Sequence, residues 1–77
     1  MRELVEFVAR SLVDSPDEVR VSQTGRDASS SVIELQVAPD DLGKVIGRQG
    51  RTVRALRTLL SAASARSSRR ITLDIVD

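Results

Sequence analysis

The chain has 77 residues, a net charge of +1 at pH 7, no Cys and no His. This length predicts a single domain over residues 1–77, and the composition excludes disulfides, thiolate metal sites and the commonest general base. No apolar run approaches the roughly 18 residues of a membrane span and no signal-peptide layout opens the chain, so we expect a cytoplasmic protein that is not an enzyme and uses no metal or cofactor.

An amphipathic helix is predicted over residues 2–13. Its apolar positions recur at helical spacing and comprise Leu4, Val5, Val8 and Leu12. Phe7, the only aromatic residue of the chain, is expected to pack in the core beside them. Pro16 ends the helix, because proline cannot continue it and favours extended geometry at Ser15.

A β-hairpin is predicted next. Val19 and Val21 alternate with polar residues in a short first strand, and the polar stretch 24–30 is typical of a turn. The second strand, Val32–Val37, places Ile33 and Leu35 on one face. The exposed face of the hairpin is expected to be polar.

Two helices and a last strand complete the predicted order of helix, strand, strand, helix, helix, strand. Pro39 begins a short helix that runs to Ile46 and stops at Gly47. The next helix, Arg51–Ala65, has a buried stripe of Val53, Leu56, Leu60 and Ala63. Residues 64–70 form a polar, basic loop, and alternation from Ile71 to Ile75 predicts the final strand.

The charges are distributed unevenly along the chain. Residues 1–42 carry four arginines against nine acids, a net charge of −5, whereas residues 43–77 carry eight basic residues against two acids, a net charge of +6. A positive end on a nearly neutral protein would orient a polyanion. Ordinary solvated helix faces would give the same distribution, so charge alone leaves both interpretations open.

The stretch from Gly43 to Val53 carries the most information. Gly47 and Gly50 bracket a tight turn between two helices, where backbone conformations closed to other residues are needed. Three amides at the start of the second helix, those of Gly50, Arg51 and Thr52, are expected to be unpaired donors that favour an anion. Arg48 and Gln49 project from the turn, and a cationic stripe follows at Arg51, Arg54 and Arg57.

Other glycine motifs do not fit this spacing. A Walker A loop requires a Gly at position 38, which is Ala, and a dinucleotide fingerprint requires a Gly at position 45, which is Val. The scarcity of aromatic residues argues against RRM or OB platforms, which stack bases on rings. A Gly-x-x-Gly turn alone is often purely steric, so the indication comes from its combination with hydrophobic residues before it and basic residues after it.

This combination resembles the signature of the KH domain, whose GXXG loop clamps about four nucleotides. The order of elements is similar to the type II arrangement, which implies an α+β fold with a three-stranded sheet packed on helices. The 13–17 turn, the run from Gly43 to Leu60 and the ending at 74–77 are similar to the small stand-alone bacterial KhpA family.

The resemblance implies a groove for single-stranded RNA, or single-stranded DNA, between the GXXG region and the last strand. The predicted RNA-binding residues are Lys44, Val45, Ile46, Gly47, Arg48, Gln49, Gly50, Arg51, Thr52 and Arg54. Val45 and Ile46 would be apolar wall or core. Arg66, Arg69 and Arg70 fall in the variable loop, where they would either place cations on the second lip or be ordinary solvated charges.

The expected function is weak and broadly selective RNA binding, as an RNA chaperone or post-transcriptional regulator. The resemblance also implies a homodimer, or a heterodimer with the larger KH-containing protein KhpB (also called Jag or EloR). An alternative is a protein-interaction module whose main role is that pairing, with the arginine stripe as an interface.

Overall fold

The elements follow one another in the predicted order in a computed structural model, which describes residues 1–27, 29–65 and 69–76. They are α1 (Arg2–Leu12), β1 (Arg20–Asp27), β2 (Ser30–Gln36), α2 (Leu42–Ile46), α3 (Arg51–Ser64) and β3 (Arg70–Val76). Single 3₁₀ turns lie at Pro16–Glu18, Pro39–Asp41 and Arg48–Gly50. The α+β class and the helix-strand-strand-helix-helix-strand order are therefore confirmed.

The three strands form one mixed sheet with β2 in the centre. β1 pairs with β2 antiparallel, as the predicted hairpin requires, and β3 pairs with β2 in parallel. A parallel neighbour needs a crossover connection, which α2 and α3 provide. In this topology β3 is an edge strand, and it is the next element after α3. The turn that joins α2 to α3 and the β3 edge of the sheet therefore lie on the same side of the domain.

The core lies between one face of the sheet and the helices. Its buried members are Val5, Ala9, Val19, Ile33, Leu35, Val37, Val45, Val53, Leu56, Leu60 and Leu73. The alternation predicted for β2 holds from Ile33 onward, since Ile33 and Leu35 are fully buried while Glu34 and Gln36 are exposed, but Val32 is also buried. The outer face of the hairpin is therefore polar, as predicted, except at Val32.

The prediction that Phe7 packs in the core is wrong. Phe7 is 71% exposed, and Leu4 and Leu12 are also exposed, whereas Val5 and Ala9 are completely buried. Each helical residue advances the side chain by about 100°, so Phe7, two positions from both Val5 and Ala9, lies on the opposite side of α1. The apolar residues of α1 form an arc that is wider than the surface the rest of the domain covers, and packing buries only the part with Val5 and Ala9.

The first strand is longer than predicted and continues through the polar segment assigned to a turn. Thr24 pairs with Val32 across the ladder, and a bulge between Gly25 and Asp27 absorbs one extra residue. Polar side chains are compatible with a strand whose outer face is solvated. At its end, Asp27 Oδ1 accepts hydrogen bonds from the amide and hydroxyl of Ser29 at 2.8 and 3.0 Å, which lowers the pKa of Asp27.

The helix boundaries also differ slightly from the prediction. The segment that begins at Pro39 starts as a 3₁₀ turn, and regular α-helix begins only at Leu42. In α3 the last buried position is Ser64, whose hydroxyl donates to the Ser61 carbonyl at 3.1 Å, whereas Ala63 is only half-buried. The stripe of Val53, Leu56 and Leu60 is confirmed.

A buried carboxylate joins the end of α1 to the start of α2. Asp41 is 2% exposed, and its oxygens accept hydrogen bonds from the backbone amides of Asp14 at 3.2 Å and Ser15 at 3.0 Å. Lys44 adds an ion pair to Asp41 at 3.8 Å and a second one to Asp14. Buried carboxylates are stable in proteins when they are paired and hydrogen-bonded in this way.

We predict that Asp41→Ala lowers the free energy of unfolding by about 1–3 kcal/mol, because two backbone amides lose their acceptor. Asp40→Ala is the matched control: Asp40 is exposed and contributes only through the helix dipole, less than about 1 kcal/mol. Urea denaturation of both variants measures the difference. Equal losses of stability in the two variants would contradict the role of Asp41 in holding the end of α1 against the start of α2.

Candidate nucleic-acid groove

The turn between α2 and α3 contains three residues with positive φ angles, a conformation that favours glycine. Gly47 and Gly50 have φ angles of 79° and 73°, and Gln49 between them also has a positive φ of 57°. The Gly47 amide closes α2 by donating to the Gly43 carbonyl at 2.9 Å, and the Gly50 amide donates to the Gly47 carbonyl at 3.0 Å. The chain thus reverses within four residues.

Gly47 is required for a second, steric reason. A Cβ at this position would lie 2.3 Å from Oγ1 and 2.8 Å from Cβ of Thr52, well inside van der Waals contact. At Gly50 the nearest atom to such a Cβ is Val53 Cγ1, at 4.0 Å. The first glycine of the motif therefore permits close approach as well as conformation, and the second permits conformation alone.

The predicted donors in this turn are only partly available. The Arg51 amide donates to the Arg48 carbonyl, and the Gly50 amide is engaged as described, so the prediction of three unpaired amides is wrong for these two residues. The 3₁₀ turn satisfies them internally. The side chains of Arg48, Gln49 and Arg51 are exposed and supply the donors that the turn presents to solvent.

Arg54 supports the turn from the next turn of α3. Its guanidinium donates to the Gln49 carbonyl at 3.4 Å, and the side chain is otherwise exposed. The carbonyl of the residue with the positive φ angle is thereby held from the helix side. Arg54 lies one turn beyond Arg51, so the cationic surface continues from the loop along α3.

Two of the predicted site residues have structural roles. Val45 is completely buried in the core, which decides between the two roles left open for it. Lys44 is committed to Asp14 and Asp41, and the hydrogen bond that its ammonium group donates to Asp14 raises the pKa of Lys44. Lys44 stays charged at neutral pH, but its ammonium group already has two carboxylate partners.

A groove runs beside the turn, between the helices and the edge of the sheet. It has a volume of about 620 Å³ and is lined by Glu34, Ile46, Val53, Arg57, Asp74, Ile75 and Val76. Ile46 precedes the GXXG turn and Val53 follows it, so the two helices that the turn connects form one wall. The edge strand β3 forms the other wall.

Arg57 connects the two walls, since its guanidinium donates to the Leu73 carbonyl of β3 at 3.3 Å. The sequence predicted Arg57 as part of the cationic stripe along α3. It did not predict the hydrogen bond from Arg57 to the edge strand. Glu34 and Asp74 were not predicted as groove residues. They meet there because β2 and β3 pair in parallel with these two residues opposite each other, a register that the sequence does not specify.

The β3 wall of the groove differs from the cationic surface that arginines of the variable loop would form. Arg66 lies outside the described residues, and Arg69 and Arg70 are exposed. Arg70 pairs with Ser30, four residues before Asp74 and thus about 13 Å along the strand. On the sheet side, the described polar residues that line the groove are carboxylates.

This fold and this groove define a KH domain, with the GXXG turn between two helices and the groove against the edge strand. Comparison with known families specifies it further: a sequence model of the KhpA/KhpB KH domain matches residues 2–75. The chain belongs to the KhpA/KhpB KH-domain family. This membership confirms the predicted class, a KH-type binding domain and not an enzyme.

Relatives match along nearly the whole chain. The RNA-binding protein KhpA of Halalkalibacterium halodurans is 56% identical, with 100% of both chains covered. Those of Clostridium acetobutylicum and Aquifex aeolicus are 49% and 46% identical, covering 99% and 100% of this chain and 100% and 96% of the relatives. No solved structure matches the chain. Among the described residues, no helix has the length and apolar character needed to cross a membrane.

We predict a graded response to alanine at three glycines. Gly47→Ala should lower the free energy of unfolding by about 2–3 kcal/mol, since its backbone, at φ 79° and ψ 167°, lies in a region almost restricted to glycine, and this strain of about 1–3 kcal/mol adds to the collision with Thr52. Gly50→Ala should lower the free energy of unfolding by only about 1 kcal/mol, because an alanine there is strained but meets no close atom. Gly43→Ala, an exposed helical position with open space around its Cβ, should be neutral or stabilising by up to about 1 kcal/mol.

Chemical denaturation monitored by circular dichroism measures the three values. A Gly47→Ala variant as stable as Gly43→Ala would contradict the steric role assigned to position 47.

Proposed function

We propose that this chain binds single-stranded RNA by gripping the phosphate backbone at Gly47–Gly50 while bases enter the adjacent groove. The observation that carries this proposal is the juxtaposition of an exposed cationic turn with a groove whose lining includes four aliphatic residues, Ile46, Val53, Ile75 and Val76. Relatives of nearly the same length are named RNA-binding proteins. We assign the RNA contacts to Ile46, the GXXG turn, Arg51 and Arg54. Thr52 packs against Gly47 and helps to hold the turn.

The side chains of the turn favour phosphate over a neutral ligand. Arg48 and Arg51 present planar guanidinium groups that match phosphate oxygens, and Gln49 adds a neutral donor. All three are exposed, so binding does not require a prior ion pair to break. Phosphate contacts of this kind position the strand without reading its sequence, and they are common to RNA and single-stranded DNA.

The groove walls suit bases but offer them little stacking energy. Ile46, Val53, Ile75 and Val76 are aliphatic, and the only aromatic residue, Phe7, lies outward on α1. Aromatic stacking contributes about 1–3 kcal/mol per base in other single-strand binders. A single groove of this type should therefore bind weakly, as expected of a chaperone or post-transcriptional regulator that acts on many RNAs. We place this activity in the cytoplasm and assign it to one domain.

We predict that Arg48→Asp together with Gln49→Asp reduces RNA affinity at least about tenfold, because two or three phosphate contacts are replaced by repulsion. Both glycines stay in place. Aspartate tolerates the left-handed conformation at position 49, so the fold should be retained. Fluorescence anisotropy with a single-stranded RNA measures binding, and circular dichroism checks the fold.

The matched control compares single substitutions that change the charge equally. Arg48→Asp lies in the turn, whereas Arg26→Asp lies at the exposed end of β1, away from the groove. Only the former should weaken binding. Equal effects would indicate general charge attraction, and unaltered binding in the double variant would reject the loop assignment.

A second candidate function is pairing with another KH chain, either a second copy or the KhpB partner. Exposed apolar residues favour it: Phe7 is 71% exposed on α1 and Leu59 is 51% exposed on α3. Large apolar side chains on the surface of a small domain are available to a protein partner. In this alternative the arginines of α3 belong to an interface.

Crosslinking in cells distinguishes the two candidates. We expect the wild-type chain to recover RNA, and the double aspartate variant to lose it while keeping any protein partner. Recovery of protein alone by the wild type would favour the pairing function as the main one.

A further inference from the structure

The two walls of the groove carry opposite charges. Arg57 lines the helix side, and Arg54 and Arg51 follow it along α3 toward the turn outside the groove lining, whereas Glu34 and Asp74 line the sheet side. Glu34 and Asp74 are directly opposite each other on β2 and β3, so they are neighbours on the face of the sheet turned away from the core, where they line the outer rim of the groove. A groove that only attracts a polyanion would not carry two acids on one lip.

In the part of the chain that the structure describes, neither carboxylate has an ion-pair partner. The ion pairs found within 4.0 Å among the described residues involve neither Glu34 nor Asp74, and both residues are exposed. Like charges placed directly opposite on neighbouring strands are unfavourable, so the arrangement brings the fold no benefit. The guanidinium of Arg57 is directed to the Leu73 carbonyl instead.

An acidic lip constrains how a strand of RNA can lie. Phosphates are repelled from the sheet side and attracted to the turn and to α3, so the backbone follows the helix side and the base edges face the carboxylates. Ionised carboxylates accept hydrogen bonds but cannot donate them. They therefore favour bases that present an exocyclic amino group and disfavour those that present a carbonyl oxygen.

We propose that Glu34 and Asp74 make this groove select cytosine over uracil at the position that faces them. This proposal rests on the proposed function, because the base enters the groove only if the backbone is held at the turn. The two pyrimidines are of equal size and share O2, but cytosine carries the N4 amino donor and the N3 acceptor where uracil carries the O4 acceptor and the N3–H donor. The carboxylates therefore match N4 of cytosine and repel O4 of uracil, while a donor on the opposite wall matches N3 of cytosine and is repelled by the N3–H of uracil. Arg57, on the opposite wall, offers donors to the remaining acceptors of the base.

The test compares oligocytidine with oligouridine of about eight nucleotides, twice the roughly four that a KH groove holds. By fluorescence anisotropy at constant salt, the wild type should bind oligocytidine roughly fivefold or more tightly, as expected for one well-placed contact to a base edge. The isosteric double substitution Glu34→Gln and Asp74→Asn should bring this ratio to about one. It should also tighten binding to oligouridine, because the amides donate to O4 and no longer repel phosphate. Misfolding cannot cause such a gain.

The matched control is Asp17→Asn together with Glu18→Gln, which changes the net charge equally on an exposed turn outside the groove. It should keep the wild-type ratio. Equal affinity of the wild type for both oligomers, or an unchanged ratio in the groove variant, would overturn the selectivity. If both oligomers bind and Arg48→Asp with Gln49→Asp abolishes both, the proposed function stands by itself; if the wild type binds neither, both proposals fail.

Discussion

The contact between Gly47 and Thr52 is the constraint on which the rest of the site depends. Because position 47 has no side chain, the end of α2 can approach the first turn of α3 to within a distance that any Cβ would prevent. Ile46 and Val53 consequently line the same wall of the groove. The same turn pushes Arg48 and Gln49 outward, so one steric requirement produces both the apolar wall and the cationic edge.

The uneven charge distribution along the chain acquires a structural meaning from Asp41. In the acidic half, this buried carboxylate holds the segment after α1 against the start of α2 and occupies Lys44 as a partner. Lys44 is the first basic residue of the positive half and is used for folding. The arginines after it in the described part of the chain are exposed, and Arg54 and Arg57 each donate a hydrogen bond to a backbone carbonyl. In this positive half, Lys44 is thus the cation that ion pairs bind to the acidic half.

The sequence predicted what depends on local pattern and missed what depends on packing. The order of elements, the buried stripe of α3 and the GXXG turn follow from periodicity and from glycine positions over a few residues. The orientation of α1 does not, because its apolar arc is wider than the buried face and only packing against the rest of the domain selects Val5 and Ala9 over Phe7. The bonds of the Gly50 and Arg51 amides likewise depend on how tightly the turn winds.

The groove acids were missed for a related reason. Alternation shows that Glu34 and Asp74 each point outward from their strands, but it does not show which strand neighbours which, or in what register. Two residues 40 positions apart become neighbours only through the parallel pairing of β2 with β3. A functional pair formed in this way is not visible in any local window of the sequence.

In the proposed mode of binding, the two walls of the groove have opposing effects. Phosphate contacts at the turn would add affinity without sequence information, while carboxylates at the sheet edge would weaken the attraction for any strand and add discrimination. The apolar residues of the groove are aliphatic and offer no aromatic ring for stacking, so a single groove gains little binding free energy to offset the repulsion from the carboxylates. If two such chains pair, the second binding event becomes intramolecular and affinity rises without a change in either groove. The exposed apolar residues on α1 and α3 would then serve RNA binding as well as pairing, because association would supply the affinity that a selective groove lacks.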